Sequence, residues 1–281
     1  MKAPRPLSWQ TSPLTELKKI KGICFDIDDT FSTEGKIHAD AFSALWKLKE
    51  AGYVLVPVTG RPAGWCDHIS RFWPVDAVVG ENGAFTFFIQ NGKRKRLDTL
   101  ADSAEFSEYK NGLSEPGSKL HRLAQKIQTQ FPQAQWASDQ NYREYDLAID
   151  FCEDVPAWPK EQITQLIELC ENEGAHAKLS SIHVNTWYGD FDKRKGFERW
   201  LSIGAPGIEG EIPKWNEWLF IGDSPNDEPL FAAFSYSVGV ANLSNYLDQL
   251  KNPPQWITQT ESGYGFSEMA ERLLLANARP L

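Results

Sequence analysis

The stretch "GICFDIDDTFSTEG", residues Gly22–Gly35, runs from a short apolar segment directly into Asp26, Asp28 and Asp29. A brief apolar run bounded by turn formers reads as a buried strand, and such a strand ordinarily ends in valine or isoleucine. In a parallel α/β sheet, ligands bind beyond the carboxyl ends of the strands. Side chains two apart on an extended chain point the same way, so Asp26 and Asp28 face one site and Asp29 faces elsewhere. Two carboxylates a few ångströms apart repel strongly at low dielectric unless a proton or cation lies between them. Mg²⁺, which favours carboxylate and water oxygens, removes that difficulty. Alone, the pattern also fits a solvated acidic loop or a helix N-cap.

Outward from this strand, "YVLVPVTG" and "DAVVGENGA" are further apolar runs. Helical patterns separate them: "HADAFSALWKLKEAG", with Phe42, Leu45 and Trp46 on one face, and "PAGWCDHISRFWP", opened by Pro62. Strands joined by helices of this length predict a parallel sheet with right-handed crossovers.

After Gly83 the rhythm changes. "AFTFFIQNGKRKRLDTL" reads as two strands about an Asn91-Gly92 turn. Helices marked by Leu120, Leu123, Ala124 and Ile127, and by Ile163, Leu166, Ile167 and Cys170, alternate with the one-sided strands "YDLAIDFC" and "SSIHVNTWYG". That combination predicts an inserted α+β unit with an antiparallel sheet. From about residue 192 the α/β alternation returns. The expected fold is therefore α/β, a Rossmann-like parallel-sheet core of residues 1–83 and 192–281 with an α+β insert at 84–191.

The chain's 281 residues are 41% hydrophobic and 24% charged, with eleven tryptophans, a composition that supports a packed core and excludes disorder. Its 29 basic and 38 acidic side chains leave a net charge of −9, so no nucleic-acid partner is expected. Cys24, Cys66, Cys152 and Cys170 form no CxxC pair and read as free thiols. The opening "MKAPRPLSWQTSPLTELKK" has no apolar core of a leader, and nowhere do 18 apolar residues run together. The expectation is a soluble cytoplasmic protein with no membrane partner.

Two other strand ends carry suitable groups. "VPVTGRP" brings Thr59, Gly60 and Arg61, and Thr59 offers a hydroxyl and an N–H to a phosphate. "LFIGDSPND" brings Asp223, repeating the acid at a strand tip, and then Asn226 and Asp227. Asn226 also suits an ordinary N-cap. "DFDKRKGFERWL" supplies a cation, Lys193 or Lys195. Lys193 places Phe197 and Trp200 at +4 and +7, the apolar register of the helix that follows, and is the preferred candidate.

Together these residues resemble the four motifs of the haloacid dehalogenase superfamily of phosphohydrolases: "DIDDT", the Thr59-Gly60 pair, a lysine, and "GDSPND". Asp26 and Thr59 lie 33 positions apart, too close for a cap, whereas Thr59 and Lys193 lie 134 apart. This spacing, with "GENGAF" at Gly80–Phe85, resembles the type-IIB capped branch that holds sucrose-phosphate, mannosylphosphoglycerate and trehalose-phosphate phosphatases. The resemblance implies that Asp26 attacks phosphorus and forms an aspartyl-phosphate. Asp28 would protonate the leaving group and then deprotonate water. It further implies Mg²⁺ held by Asp26, Asp28 (through its backbone carbonyl) and Asp223. Thr59, Gly60 and Lys193 (or Lys195) would bind phosphate, with Thr30, Asn226 and Asp227 orienting these groups. The implied substrate is a small phosphorylated metabolite, a sugar phosphate.

A phosphomannomutase-like phosphohexomutase shares this core, and "FDKR" favours it. A receiver-like signalling module shares acidic strand tips but is far shorter and lacks an insert. In the insert, His183 and Asn185 alternate with Ile182 and Val184 and, with Arg61, are candidate substrate contacts. Trp136, Tyr142, Trp187 and Tyr188 are candidate stacking rings, and Lys93, Arg94, Lys95 and Arg96 a candidate steering patch.

Overall fold

The strand Gly22–Phe25 lies inside a six-stranded parallel sheet. The structure, a computed structural model, describes residues 5–104 and 106–277, so residues 1–4 and 278–281 of the expected core lie outside the described residues. Strand order is Leu7–Ser8, Trp256–Ile257, Tyr236–Gly239, Trp218–Gly222, Gly22–Phe25, Val54–Pro57, all parallel. From Gly22–Phe25 the chain moves outward to Val54–Pro57 and, through a parallel bridge between Val58 and Val79, to Ala77–Gly80. It later returns on the other side of Gly22–Phe25 with Trp218–Gly222. The direction of winding thus reverses between the two strands that end in Asp26 and Asp223, and a crevice opens at such a switch point.

Alternation along the strands builds two apolar layers. Ile23 and Phe25 pack with Leu55, Leu219 and Ile221 on one face. Cys24 and Val56 pack with Trp218, Phe220, Phe197 and Trp200 on the other. The helix Ala39–Glu50 buries Ala41, Ala44, Leu45 and Leu48, a clean i, i+3, i+4, i+7 stripe. The expected Phe42–Leu45–Trp46 face is therefore corrected: Trp46 is 46% exposed and two small alanines carry the contact. Leu7–Ser8 had no sequence signal, being two residues long, and takes its pairing from Trp256–Ile257.

The hairpin Phe85–Gln90/Lys93–Asp98 turns at Asn91 and Gly92, both at positive φ. It pairs with Ala77–Gly80 in a three-stranded sheet. A separate antiparallel sheet runs Gln135–Trp136, Asp146–Asp150, His183–Trp187, His176–Leu179. The helices Lys119–Gln130 and Lys160–Asn172 cover one face of it through Leu120, Leu123, Ile127, Leu166 and Cys170 over Leu147, Ile149 and Val184. The opposite face presents Asp146, His183 and Asn185 toward the tips of the parallel sheet. Among the described residues no helix is long and apolar enough to cross a membrane.

Candidate active site

Asp26 extends its strand by one residue, its N–H donating to Ile221 O at 3.0 Å. Asp223 follows the neighbouring strand, and Thr30 Oγ1 donates to its Oδ1 at 3.1 Å. Lys193 begins the helix Lys193–Ser202, capped by Asp192 Oδ1, which accepts from Lys195 N at 2.8 Å. The Lys193 side chain is buried, and Nζ donates to Asp26 Oδ1 at 2.9 Å, Asp227 Oδ1 at 2.7 Å and Asn226 Oδ1 at 3.3 Å. Lys195 lies outside, paired with the exposed Asp190.

Two glycines bring this helix to the site. A Cβ on Gly196 would lie 2.6 Å from Gly83 Cα, and one on Gly83, at φ +105°, would lie 1.9 Å from Asp192 O. The turn Glu81–Gly83 and the helix start are in backbone contact that a side chain would prevent.

The carboxylates of Asp26, Asp223 and Asp227 converge, one oxygen of each lying within 4.8 Å of the others. Burial pushes the Asp26 carboxyl up to about 7 despite Lys193, and burial with Asp26 and Asp227 nearby pushes Asp223 well above the carboxylate range. Burial opposes the Lys193 ammonium, but Asp227 and Asp26 outweigh it and hold its pKa above the ordinary lysine value. Asp227 is fully engaged: Oδ1 takes Lys193, and Oδ2 accepts from Asp223 N at 3.0 Å and Ser224 N at 3.3 Å. Asp223 Oδ2, by contrast, is buried without a partner. An orphaned carboxylate oxygen among three acids and one ammonium fits a hard divalent cation. The third acid of the cluster is Asp227; the Asp28 carboxylate points away from it, to Arg61.

Thr59 is buried, and its Oγ1 accepts from Arg61 N at 3.0 Å. Gly60, Arg61, His183 and Asn185 line a cavity with Asp26, Asp28, Asn226, Arg143 and Ser180–Ile182. Its volume is about 10 Å³, room for no more than about one water. The sequence-derived candidates thus assemble between the sheet tips and the insert, apart from Lys195.

Three charged residues of this seam escaped the sequence reading. Arg143 Nη1 donates to Gly60 O at 2.8 Å and to Asp146 Oδ1 at 3.1 Å. Asp139 Oδ2 accepts from Arg61 Nη1 at 3.3 Å. Glu153 Oε1 accepts from Arg61 Nη2 at 3.0 Å, and its Oε2 lies 2.9 Å from His183 Nε2. That His183 contact, with Arg61 beside it, lowers the Glu153 carboxyl to about 2. Glu81, wholly buried, accepts from the N–H groups of Ala63, Glu144 and Tyr145 and ties the insert to the core turn. Other candidates sit elsewhere. Trp187 is buried against Phe191, Tyr188 bonds Glu173 O, and Arg96 is held by Asp98 and Glu144 over the Phe85 and Phe87 rings.

Comparison with known proteins agrees with this architecture. The family model of haloacid dehalogenase-like hydrolases matches residues 23–133. Phosphoglycolate phosphatase 1 of Saccharolobus solfataricus is 26% identical over 260 residues, covering 91% of this chain and 96% of that protein. The trehalose-6-phosphate phosphatase C-terminal domain of C. albicans superposes with a TM-score of 0.68 at 15% identity, covering 99% of this chain and 100% of that one. The sucrose-phosphatase of Synechocystis, solved with sucrose and phosphate, gives 0.61 at 17%, covering 90% and 97%. The acid-tipped parallel sheet, its switch point and the inserted antiparallel sheet accompany these matches, and over residues 23–133 the chain is similar to the haloacid dehalogenase-like hydrolases.

Proposed function

We propose that this hydrolase removes phosphate from a small phosphorylated metabolite, a sugar or polyol phosphate, through a phosphoryl group carried on Asp26. The observation that carries the reading is the pairing of Asp26 Oδ1 with Lys193 Nζ at 2.9 Å beside the partnerless Asp223 Oδ2. The site thus offers a nucleophile, a phosphate-binding ammonium and an oxygen set for a divalent cation.

Asp26 and Asp223, with the backbone carbonyl of Asp28, are the residues that would hold Mg²⁺, and Asp227, engaged by Lys193 and two backbone N–H groups, would orient them. When bound, the ion supplies charge that lets an anionic nucleophile approach an anionic phosphate. The chain's own residues do the rest. An Asp26 oxygen bonds phosphorus while the ester P–O bond breaks, its electron pair passing to the leaving oxygen, which takes a proton from Asp28. In the second half Asp28 takes a proton from water, whose oxygen bonds phosphorus as the Asp26–phosphorus bond breaks. Thr59, the Gly60 turn and Lys193 bind the phosphoryl oxygens.

The choice of leaving group rests on charge. Both arginines lining the cavity already face a carboxylate of the chain, Arg61 with Asp28 and Arg143 with Asp146, and the nearby Lys193 faces Asp26. A second anionic group on the substrate finds no spare cation, whereas the Ser181 hydroxyl and the Asn185 amide on the cavity wall suit hydroxyls. We take the hairpin, which pairs with Ala77–Gly80, to belong with the core, so that the closing unit begins near residue 100 rather than at 84. With about 10 Å³ left in the cavity, we take that unit to open for substrate entry.

Phosphate release from a panel of esters, with Mg²⁺ or with chelator, tests the reading. Neutral sugar and polyol phosphates are expected to turn over only with metal and to exceed phosphoglycolate by about tenfold or more in kcat/KM. Preference for phosphoglycolate would reject the leaving-group assignment, and release untouched by chelator would reject the metal. One observation favours a phosphohexomutase: the site lysine is Lys193, in the setting "FDKR". Dependence on a sugar bisphosphate activator distinguishes that reaction.

A further inference from the structure

Arg61 follows the Thr59-Gly60 pair at the end of its strand, and its side chain is only 6% exposed. Nε donates to both Asp28 oxygens at 3.0 Å, and Nη2 to Asp28 Oδ1 at 2.8 Å. The remaining contacts reach into the insert: Nη2 to Glu153 Oε1 at 3.0 Å and Nη1 to Asp139 Oδ2 at 3.3 Å. The Trp65 ring lies 4.6 Å from the guanidinium carbon. Four of the five N–H groups of the guanidinium are thereby directed at carboxylates of the chain. Among the described residues no other side chain donates to Asp28.

We propose that Arg61 is a positioning residue that couples closure of the insert to the placement of the Asp28 carboxylate. The proposal rests on the phosphatase reading of this site. A fork-on-carboxylate pair fixes both partners in a plane, but it fixes Asp28 only while Arg61 is itself fixed. Its other two anchors, Asp139 and Glu153, belong to the unit that must move for substrate to enter. Asp139 is in turn held by Arg143 Nε at 3.0 Å, and Arg143 grips Gly60 O, one residue from Arg61. Closure therefore brings two carboxylates and a guanidinium to the turn that carries Arg61, and Asp28 gains its set orientation at that moment. Leaving-group protonation is then reserved for the closed site, where water is excluded.

Two esters separate this role from a merely structural one. An alkyl ester such as glycerol phosphate needs a proton on its leaving oxygen; 4-nitrophenyl phosphate does not. For Arg61→Lys, kcat/KM toward the alkyl ester is expected to fall about 100-fold and toward the aryl ester by about 3-fold or less. The double variant Asp139→Asn/Glu153→Gln, which leaves the Arg61–Asp28 pair intact, is expected to show the same split at about 10-fold. If Arg61→Lys does not fold, the double variant decides. Equal losses on both esters, or a double variant that spares the alkyl ester, overturns the proposal. A wild type that releases no phosphate from either ester with Mg²⁺ fails the phosphatase reading instead. Hydrogen exchange then decides the coupling. The Phe31 and Ser32 amides, which bond Ile27 O in the Asp28 loop, are expected to exchange faster in the double variant, and unchanged rates contradict it.

Discussion

Lys193 and Lys195 stand two positions apart and occupy opposite surroundings, one buried among three polar side chains, the other on the surface beside Asp190. Removing the first leaves Asp26 and Asp227 buried without their cation. Lys193→Met is expected to lower unfolding free energy by about 3–5 kcal/mol, because a buried pair broken on one side strands a charge. Lys195→Met is expected to change it by no more than about 0.5 kcal/mol. Urea denaturation checks both, and similar losses would mean that burial does not separate them. The acids at strand ends were readable because a carboxylate there has few structural uses, and the lysine was readable from helical phase. Asp139, Arg143 and Glu153 were not. They sit between elements of the insert, where a charged residue in sequence looks like solvated surface, and only the third dimension brings them to Arg61.

At the scale of elements, the site depends on two joints. The first is the contact of the helix Lys193–Ser202 with the turn Glu81–Gly83, where Gly196 meets Gly83. Gly196→Ala is expected to cost about 1–3 kcal/mol through overpacking and to reduce phosphate release in step, since Lys193 shifts with its helix. Thermal unfolding and turnover measured together check this, and a neutral alanine would contradict the close approach. The second joint is the insert–core seam at Glu153. Its carboxyl is lowered from 4.5 to about 2, so its contribution is complete above about 4.5 and is lost as pH falls toward 2. Glu153→Gln is expected to lower Tm at pH 7 by about 2–4 °C, roughly 1 kcal/mol, and the gap to wild type is expected to narrow below pH 4.5. A gap constant with pH would remove Glu153 from the seam. Periodicity made the long elements legible, down to the Asn91-Gly92 hairpin. It misread Ala39–Glu50, where bulky Trp46 drew attention from the alanines that pack, and it passed over Leu7–Ser8, too short to hold a pattern.

Over the whole molecule, the sheet winds both ways from one point, and the strands on either side of that point deliver Asp26 and Asp223 to a common carboxylate cluster. The insert lays a polar sheet face across them and leaves about 10 Å³ between. Alternation and spacing made the core and the presence of an insert legible, since 134 positions between Thr59 and Lys193 have to fold somewhere. The pairing of the hairpin with Ala77–Gly80 was not, because a strand's partner is set by packing rather than by its own sequence. The central claim is chemical: Asp26 itself carries the phosphoryl group between substrate and water. Acid-quenching the enzyme during turnover of a substrate ester with Mg²⁺, followed by peptide mass spectrometry, tests it most directly. The account predicts a phosphoryl group on the peptide containing Asp26, absent when metal is chelated and absent in Asp26→Asn together with turnover. Undiminished phosphate release by Asp26→Asn, or a phosphoryl group on another residue, would contradict it.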